Sequence, residues 1–181
     1  MGARISSGSE SKQDFATPWD LFRACEKKFG PIGFDLAAHD RNTKHERFFS
    51  MKDDALKQDW HAIDDAQDPP LLWLNPPFAD IGPWAKKCAA EHKLGAQILL
   101  LVPAAVGSNW FRDFVFPHAH VFALNGRVPF MPDKPTWGYP KDCMICHYGD
   151  WEQYGFGAAT LLLHRFDVWS WKNDVTKKEK P

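Results

Sequence analysis

The chain has 181 residues, 44% of them hydrophobic, and a net charge of −1 at pH 7. That length suits one domain rather than two, and the apolar fraction excludes general disorder. The charge balance argues against a protein that coats a long stretch of nucleic acid, so any such contact is expected to be local.

Residues 1–14 are polar and lack the apolar run of a signal peptide; they are expected to form a flexible tail. The expected domain spans 15–166, followed by a charged tail over 167–181. No segment reaches the length of a membrane-spanning helix. The expected compartment is the cytoplasm, with reduced cysteines.

Thr17-Pro18 reads as a helix start, with threonine as cap and proline in the first helical position. Leu21, Phe22, Cys25 and Phe29 then recur at helical spacing, and Gly30 stops the helix. Residues 32–36 predict a short strand ending near Asp35, before a long irregular stretch to about residue 70. Leu71-Leu72-Trp73-Leu74 is a continuous apolar run, as for a strand buried on both faces, and it stops at Asn75-Pro76-Pro77-Phe78. Pro83 opens a helix that carries Trp84, Cys88 and Ala89 on one side and ends by Gly95. Gln97 to Val102 predicts another buried strand. Ser108 caps a short helix with Trp110, Phe111 and Phe114, where Trp110 is expected in the core. His120 to Leu124 predicts a further strand.

This alternation implies an α/β fold with a mostly parallel sheet. After Gly126 the pattern changes. Val128-Pro129-Phe130, Asp142 to Tyr148 and Thr160 to Phe166 read as strands without intervening helices, and are expected to form antiparallel strands at the C-terminal edge. Cys143, Cys146 and His147 have the C-x-x-C-H spacing of haem attachment, but read more simply as part of a half-buried strand. His39 and His45 lie in a loop, and no metal-ligand set is identified.

Ligands of an open α/β sheet bind at the carboxyl ends of its strands. Asp35 and Asn75-Pro76-Pro77-Phe78 both stand at such ends. An exocyclic amino group on a base is a poor nucleophile, because its lone pair is delocalised into the ring. The Asn75 side-chain oxygen and the Pro76 carbonyl could accept the two amino hydrogens and localise that lone pair. Paired prolines stiffen the backbone and remove competing N–H donors. Phe78 offers a face for stacking on a base turned out of its helix. The tetrapeptide reads equally well as a strand-ending turn.

With these residues placed, the sequence resembles the phage and prophage DNA N-6-adenine-methyltransferase family over about residues 15 to 150. The resemblance rests on an ordered set: Thr17-Pro18, Phe34-Asp35-Leu36-Ala37-Ala38, Asn42, Arg47-Phe48-Phe49, Asp54-Ala55-Leu56 with Trp60, and Trp73-Leu74-Asn75-Pro76-Pro77-Phe78. Leu101-Val102-Pro103, Ser108 with Trp110-Phe111, and Gly126-Arg127 with Phe130 complete it. It implies a Rossmann-like S-adenosylmethionine (SAM)-dependent core that methylates N6 of a flipped adenine in DNA, with Asn75, Pro76, Pro77 and Phe78 as the catalytic segment. It places Thr17, Pro18, Asp35, Ala37, Asn42, Asp54, Ala55 and Leu56 in the cofactor pocket. Ser108 and Arg127 become substrate contacts, although Arg127 reads equally as a surface arginine. Ala37-Ala38 stands where many SAM enzymes carry a Gly-x-Gly loop, and Glu46 matches the acidic ribose ligand by position only. Methylation of RNA or of a glutamine side chain, and a non-catalytic SAM-fold binding protein, remain alternative readings.

Overall fold

The four apolar residues of Leu71–Leu74 are all buried, and that run forms a strand inside the sheet. A computed structural model describes residues 15–64, 69–130, 139–150 and 163–166 of the chain. The expected tails over 1–14 and 167–181, most of the loop from Met131, and Thr160 to Leu162 lie outside the described residues.

Helix α1 spans Trp19–Phe29 and leads into strand β1, Ile32–Asp35. Strand β2 is Leu71–Leu74, helix α2 Gly82–His92 and strand β3 Gln97–Pro103. Strands β4 (His120–Leu124), β5 (Cys143–Tyr148) and β6 (Leu163–Phe166) follow. These strands form one six-stranded sheet in the order β1-β2-β3-β5-β4-β6. β1, β2 and β3 pair in parallel, as do β4 and β6. β5 runs antiparallel to both β3 and β4.

The expected antiparallel C-terminal edge is therefore corrected. The antiparallel strand lies inside the sheet, and the last strand joins the edge in parallel. The sequence of β5 contains the reason: all six of its residues are buried, rather than alternate ones. A strand covered on both faces and paired on both sides stands in the interior of a sheet. Val128-Pro129-Phe130 forms no strand; it turns back tightly, with the Phe130 N–H donating to the Val128 carbonyl at 3.1 Å. Thr17 makes no side-chain cap to α1, and Pro18 is the N-cap residue rather than the first helical one. Gly30 ends the helix as expected, at φ 106°.

Residue alternation along each strand divides the core into two layers. Trp73, Leu99, Leu101 and Ile145 face α1, whose Leu21, Phe22, Cys25 and Phe29 close that side. Leu72, Leu100, Met144 and Tyr148 face α2 and the π-helical turn Phe111–Val115. Ser108 caps that turn as expected, its Oγ accepting the Phe111 N–H at 3.3 Å. Trp110 packs against this second layer, also as expected. The irregular stretch after β1 contains two short 3-10 turns, Ala55–Lys57 and Trp60–Ala62. The Trp60 indole N–H donates to the Ala55 carbonyl at 2.8 Å.

Two buried polar groups stand out within these layers. Glu91 on α2 accepts from Lys87 Nζ at 2.6 Å and from the His61 backbone N–H at 2.9 Å. Burial would raise the Glu91 pKa, but the bonds from Lys87 and His61 outweigh it and hold the carboxyl below its ordinary 4.5. His147, in β5, stacks obliquely on Phe29 with ring centroids 5.1 Å apart. Burial, reinforced by His120 and His92, brings its pKa down to about 3.

Both groups bind fewer protons in the folded chain than in the unfolded one, so stability rises with pH across their windows. Acidification should lower stability first as pH falls through 6.5, the ordinary histidine value, and further below 4.5 as Glu91 is forced to protonate. Urea denaturation at a series of pH values checks this, and greater stability at pH 5 than at pH 7 would contradict it. A Cβ on Gly149 would press against the His147 imidazole. Gly149→Ala should therefore destabilise the fold by about 1 to 3 kcal/mol, the usual cost of overpacking a core, measured by the same denaturation.

Candidate active site

Because β2 is buried along its whole length, the chain can first meet a ligand at the residue that leaves it. That residue is Asn75. Trp73 faces α1, so Asn75, two residues on, continues on the α1 face. Its Nδ2 donates to the Phe15 carbonyl at 2.6 Å. That bond settles which end of the amide is which. The other end, Oδ1, is buried and has no hydrogen-bond partner among the described residues. Pro76 is buried and Pro77 exposed, and neither has an N–H to offer that oxygen. A buried acceptor left unpaired costs on the order of 1 to 3 kcal/mol, which a ligand's N–H would recover.

Four aromatic rings surround this point. Phe15, Phe78, Phe130 and Tyr139 all touch one another, with centroid separations from 5.4 to 5.8 Å. Most of the contacts are edge-on or tilted. Phe78 is thus one member of an aromatic cluster rather than an isolated platform. The cluster gathers the segment before α1, the loop after β2, and the two segments that follow β4 and precede β5. The turn at Val128 helps assemble it, since the Val128 carbonyl also accepts the Tyr139 N–H at 2.8 Å. Burial raises the Tyr139 pKa, with a further push from Cys143.

Asp35 ends β1 beside β2, in register with Trp73. It is 3% exposed. Its Oδ2 accepts the Lys44 N–H at 3.0 Å, and its Oδ1 accepts the Ala37 N–H at 3.4 Å. Burial raises its pKa, opposed by those two bonds and by the Lys44 charge. Each carboxylate oxygen keeps a further lone pair for a ligand. The Lys44 ammonium lies over the Trp19 ring at 4.7 Å from its centroid, at the start of α1.

The structure therefore brings Thr17, Asp35 and Asn75 to the same end of the sheet, on its α1 side. Thr17 is buried between Phe15 and Pro18. Ala37 and Asn42 serve the Asp35 loop: Ala37 donates to Asp35, and Asn42 Oδ1 accepts the His39 N–H at 2.8 Å. Asp54, Ala55 and Leu56 follow in the irregular stretch after β1. Asp54 is exposed, adopts a left-handed conformation at φ 49°, and pairs with Lys57 Nζ at 2.7 Å. Ala55 receives the indole of Trp60, which belongs to the α2 layer across the sheet. Ser108 follows β3, where its hydroxyl is engaged in capping. Arg127 is exposed after β4, next to Gly126 at φ 85°. Cys143 and Cys146 lie on opposite faces of β5, in different core layers, so the C-x-x-C spacing cannot converge on one ion.

Sequence reasoning missed Phe15, Tyr139, Trp19 and Lys44. The aromatic content was noticeable in the sequence, with nine tryptophans and fourteen phenylalanines. Nothing local, however, marks which rings converge from segments as far apart as those of Phe15 and Tyr139.

Comparison with known proteins supplies what the geometry alone does not. The family described as DNA N-6-adenine-methyltransferase (Dam) matches residues 6–152. A curated relative, a DNA N-6-adenine-methyltransferase of Escherichia phage T1, is 28% identical over 99 residues. That stretch is 55% of this chain and 39% of the relative, so the similarity spans well under half of the relative's length. The match over residues 6–152, most of the chain, places this protein in the DNA N-6-adenine-methyltransferase (Dam) family.

Proposed function

We propose that this chain is a SAM-dependent methyltransferase that transfers a methyl group to N6 of a flipped adenine in DNA, on a Rossmann-like core of phage or prophage origin. The observation that carries the reading is the buried Asn75 Oδ1 without a partner among the described residues, its amide oriented by the Nδ2 bond to Phe15. An amide oriented in this way is a preformed acceptor for one amino hydrogen. The Pro76 carbonyl is the second acceptor. Together they draw the amino nitrogen toward tetrahedral geometry and localise its lone pair. Catalysis then rests on positioning and on dipoles that need no reorganisation. The proton leaves to solvent after transfer, so no basic side chain is required.

SAM, when bound, supplies an electrophilic methyl group. The donor chemistry of the site suits it: the amino group and ribose hydroxyls of SAM are hydrogen-bond donors, and Asp35 is a buried carboxylate with acceptor capacity to spare. Asp35 is the residue proposed to hold the cofactor, with Thr17 and Pro18 near its methionine end.

The aromatic cluster is proposed to receive the adenine. An aromatic pair is worth about 1 kcal/mol beyond its area burial, so freeing Phe78 from its three neighbours costs about 3 kcal/mol. Stacking a base on an aromatic side chain returns about 1 to 3 kcal/mol. The exchange is nearly balanced, so a base can replace a ring contact without a large rearrangement. Arg127, exposed at the same end of the sheet, is a proposed contact to phosphate or to the neighbouring base pair.

Asn75→Ala should lower methyl transfer by about a hundredfold to a thousandfold, the usual loss when one preorganised polar group is removed. SAM affinity, measured by calorimetry, should be unchanged. Full activity in this variant would refute the proposed role. Asp35→Asn should show the opposite pattern, weakening SAM binding by about tenfold or more, as expected for loss of a charge-assisted hydrogen bond. Labelled methyl recovered as N6-methyladenine from duplex DNA would establish the substrate. Label on RNA or on protein glutamine instead would redirect it.

A further inference from the structure

The exposed large apolar side chains among the described residues are Trp19, Met51, Leu94, Val106 and Phe116. Leu94 and Phe116 precede β3 and β4, at the amino end of the parallel strands. Met51 and Val106 lie at the carboxyl end, where Asn75 stands. Met51 is 94% exposed, the most open of the group.

Its position follows from backbone bonds. Asp35 N–H donates to the Arg47 carbonyl at 3.0 Å, and Phe49 N–H donates to the Asp35 carbonyl at 2.9 Å. Asp35 and Phe48 form a parallel bridge, so residues 47–49 run alongside β1 in its own direction. The chain therefore leaves that pairing at the carboxyl end of the sheet, and Met51 comes two residues later.

The turn that presents Met51 is held at several points. Asp53 Oδ2 accepts both the N–H and the hydroxyl of Ser50, each at 2.7 Å. The Ser50 carbonyl accepts the Asp53 N–H at 3.1 Å, and Gln58 Nε2 donates to the Asp53 carbonyl at 2.5 Å. Those hydroxyl and backbone bonds hold the Asp53 carboxyl below its ordinary range. Asp54, at φ 49°, then turns the chain back toward Trp60. The braced turn thus presents an unbranched, polarisable apolar side chain fully open to a partner. Val106 stands beyond β3, so in strand order the two apolar tips flank β2 and the segment that follows it.

We infer that Met51 is a wedge that enters the DNA duplex and fills the gap left by the base drawn into the site. The inference rests on the proposed action on a flipped base. Extruding a base leaves a cavity between its stacked neighbours, and apolar side chains inserted between base steps meet that need. A flexible thioether side chain accommodates an irregular gap well. The wedge does not touch the reacting atoms. It is a positioning residue that stabilises the open duplex.

The test compares methyl transfer to one target sequence as paired duplex, as single strand, and as duplex with an abasic site opposite the target adenine. With Met51→Ala, transfer to the paired duplex should fall by about tenfold or more, a tenfold loss corresponding to about 1.4 kcal/mol. Transfer to single strand and to the abasic duplex should stay within about twofold of the unaltered protein, because neither substrate needs the full cost of base extrusion. Met51→Leu, which keeps the apolar volume, should restore activity on the paired duplex. Equal losses on all three substrates, or no loss on any, would overturn the wedge while leaving the methyltransferase reading in place. An unaltered protein that methylates none of the three DNAs would overturn both.

Discussion

The bond from Asn75 Nδ2 to the Phe15 carbonyl joins residues sixty positions apart and organises the whole active end of the sheet. It anchors the segment before α1 to the end of β2. It brings the Phe15 ring against Phe78, Phe130 and Tyr139. It also uses the donor half of the amide, so the acceptor half faces inward with no partner among the described residues. Asparagine is needed for both tasks. An aspartate would set a carboxylate against a carbonyl, and an alanine would remove both contacts. One side chain thus braces the scaffold and leaves an unpaired oxygen, an energetic cost that a ligand's N–H could offset.

The direction of β5 matters next. By running antiparallel between β3 and β4, it keeps β1 to β4 pointing their carboxyl ends the same way. The loops that carry Asp35, Asn75, Ser108 and Arg127 therefore all leave from one end. β5 itself contributes packing rather than chemistry. Its alternate residues feed the two core layers, and its cysteines are protonated hydrophobes: burial raises the pKa of the Cys143 thiol to about 12 and that of Cys146 further still. The polar groups of the interior are confined to a few tied points, such as Glu91 held by Lys87 and His61.

Charge at the active end is supplied in small amounts by specific side chains. Lys44 and Arg23 lie over the half-exposed Trp19, and Arg127 projects beyond β4. These few cations sit on a chain whose net charge is −1.

The sequence by itself determined the elements with strong local signals. Leu71–Leu74 is apolar throughout, and only a strand buried on both faces accommodates such a run ended by two prolines. The spacing of Leu21, Phe22, Cys25 and Phe29 with Gly30 defined α1. Asn75 and Asp35 were legible as site candidates because strand ends in α/β sheets are where ligands bind. Other features depended on contacts between distant segments, which no local pattern encodes. The place of β5 in the sheet is one: its strand character was visible, but its neighbours and direction are fixed by which surfaces remain to be covered. The aromatic cluster and the buried, unpaired oxygen of Asn75 are another. They exist only when four segments of the folded chain converge, and that convergence was decided by tertiary structure alone.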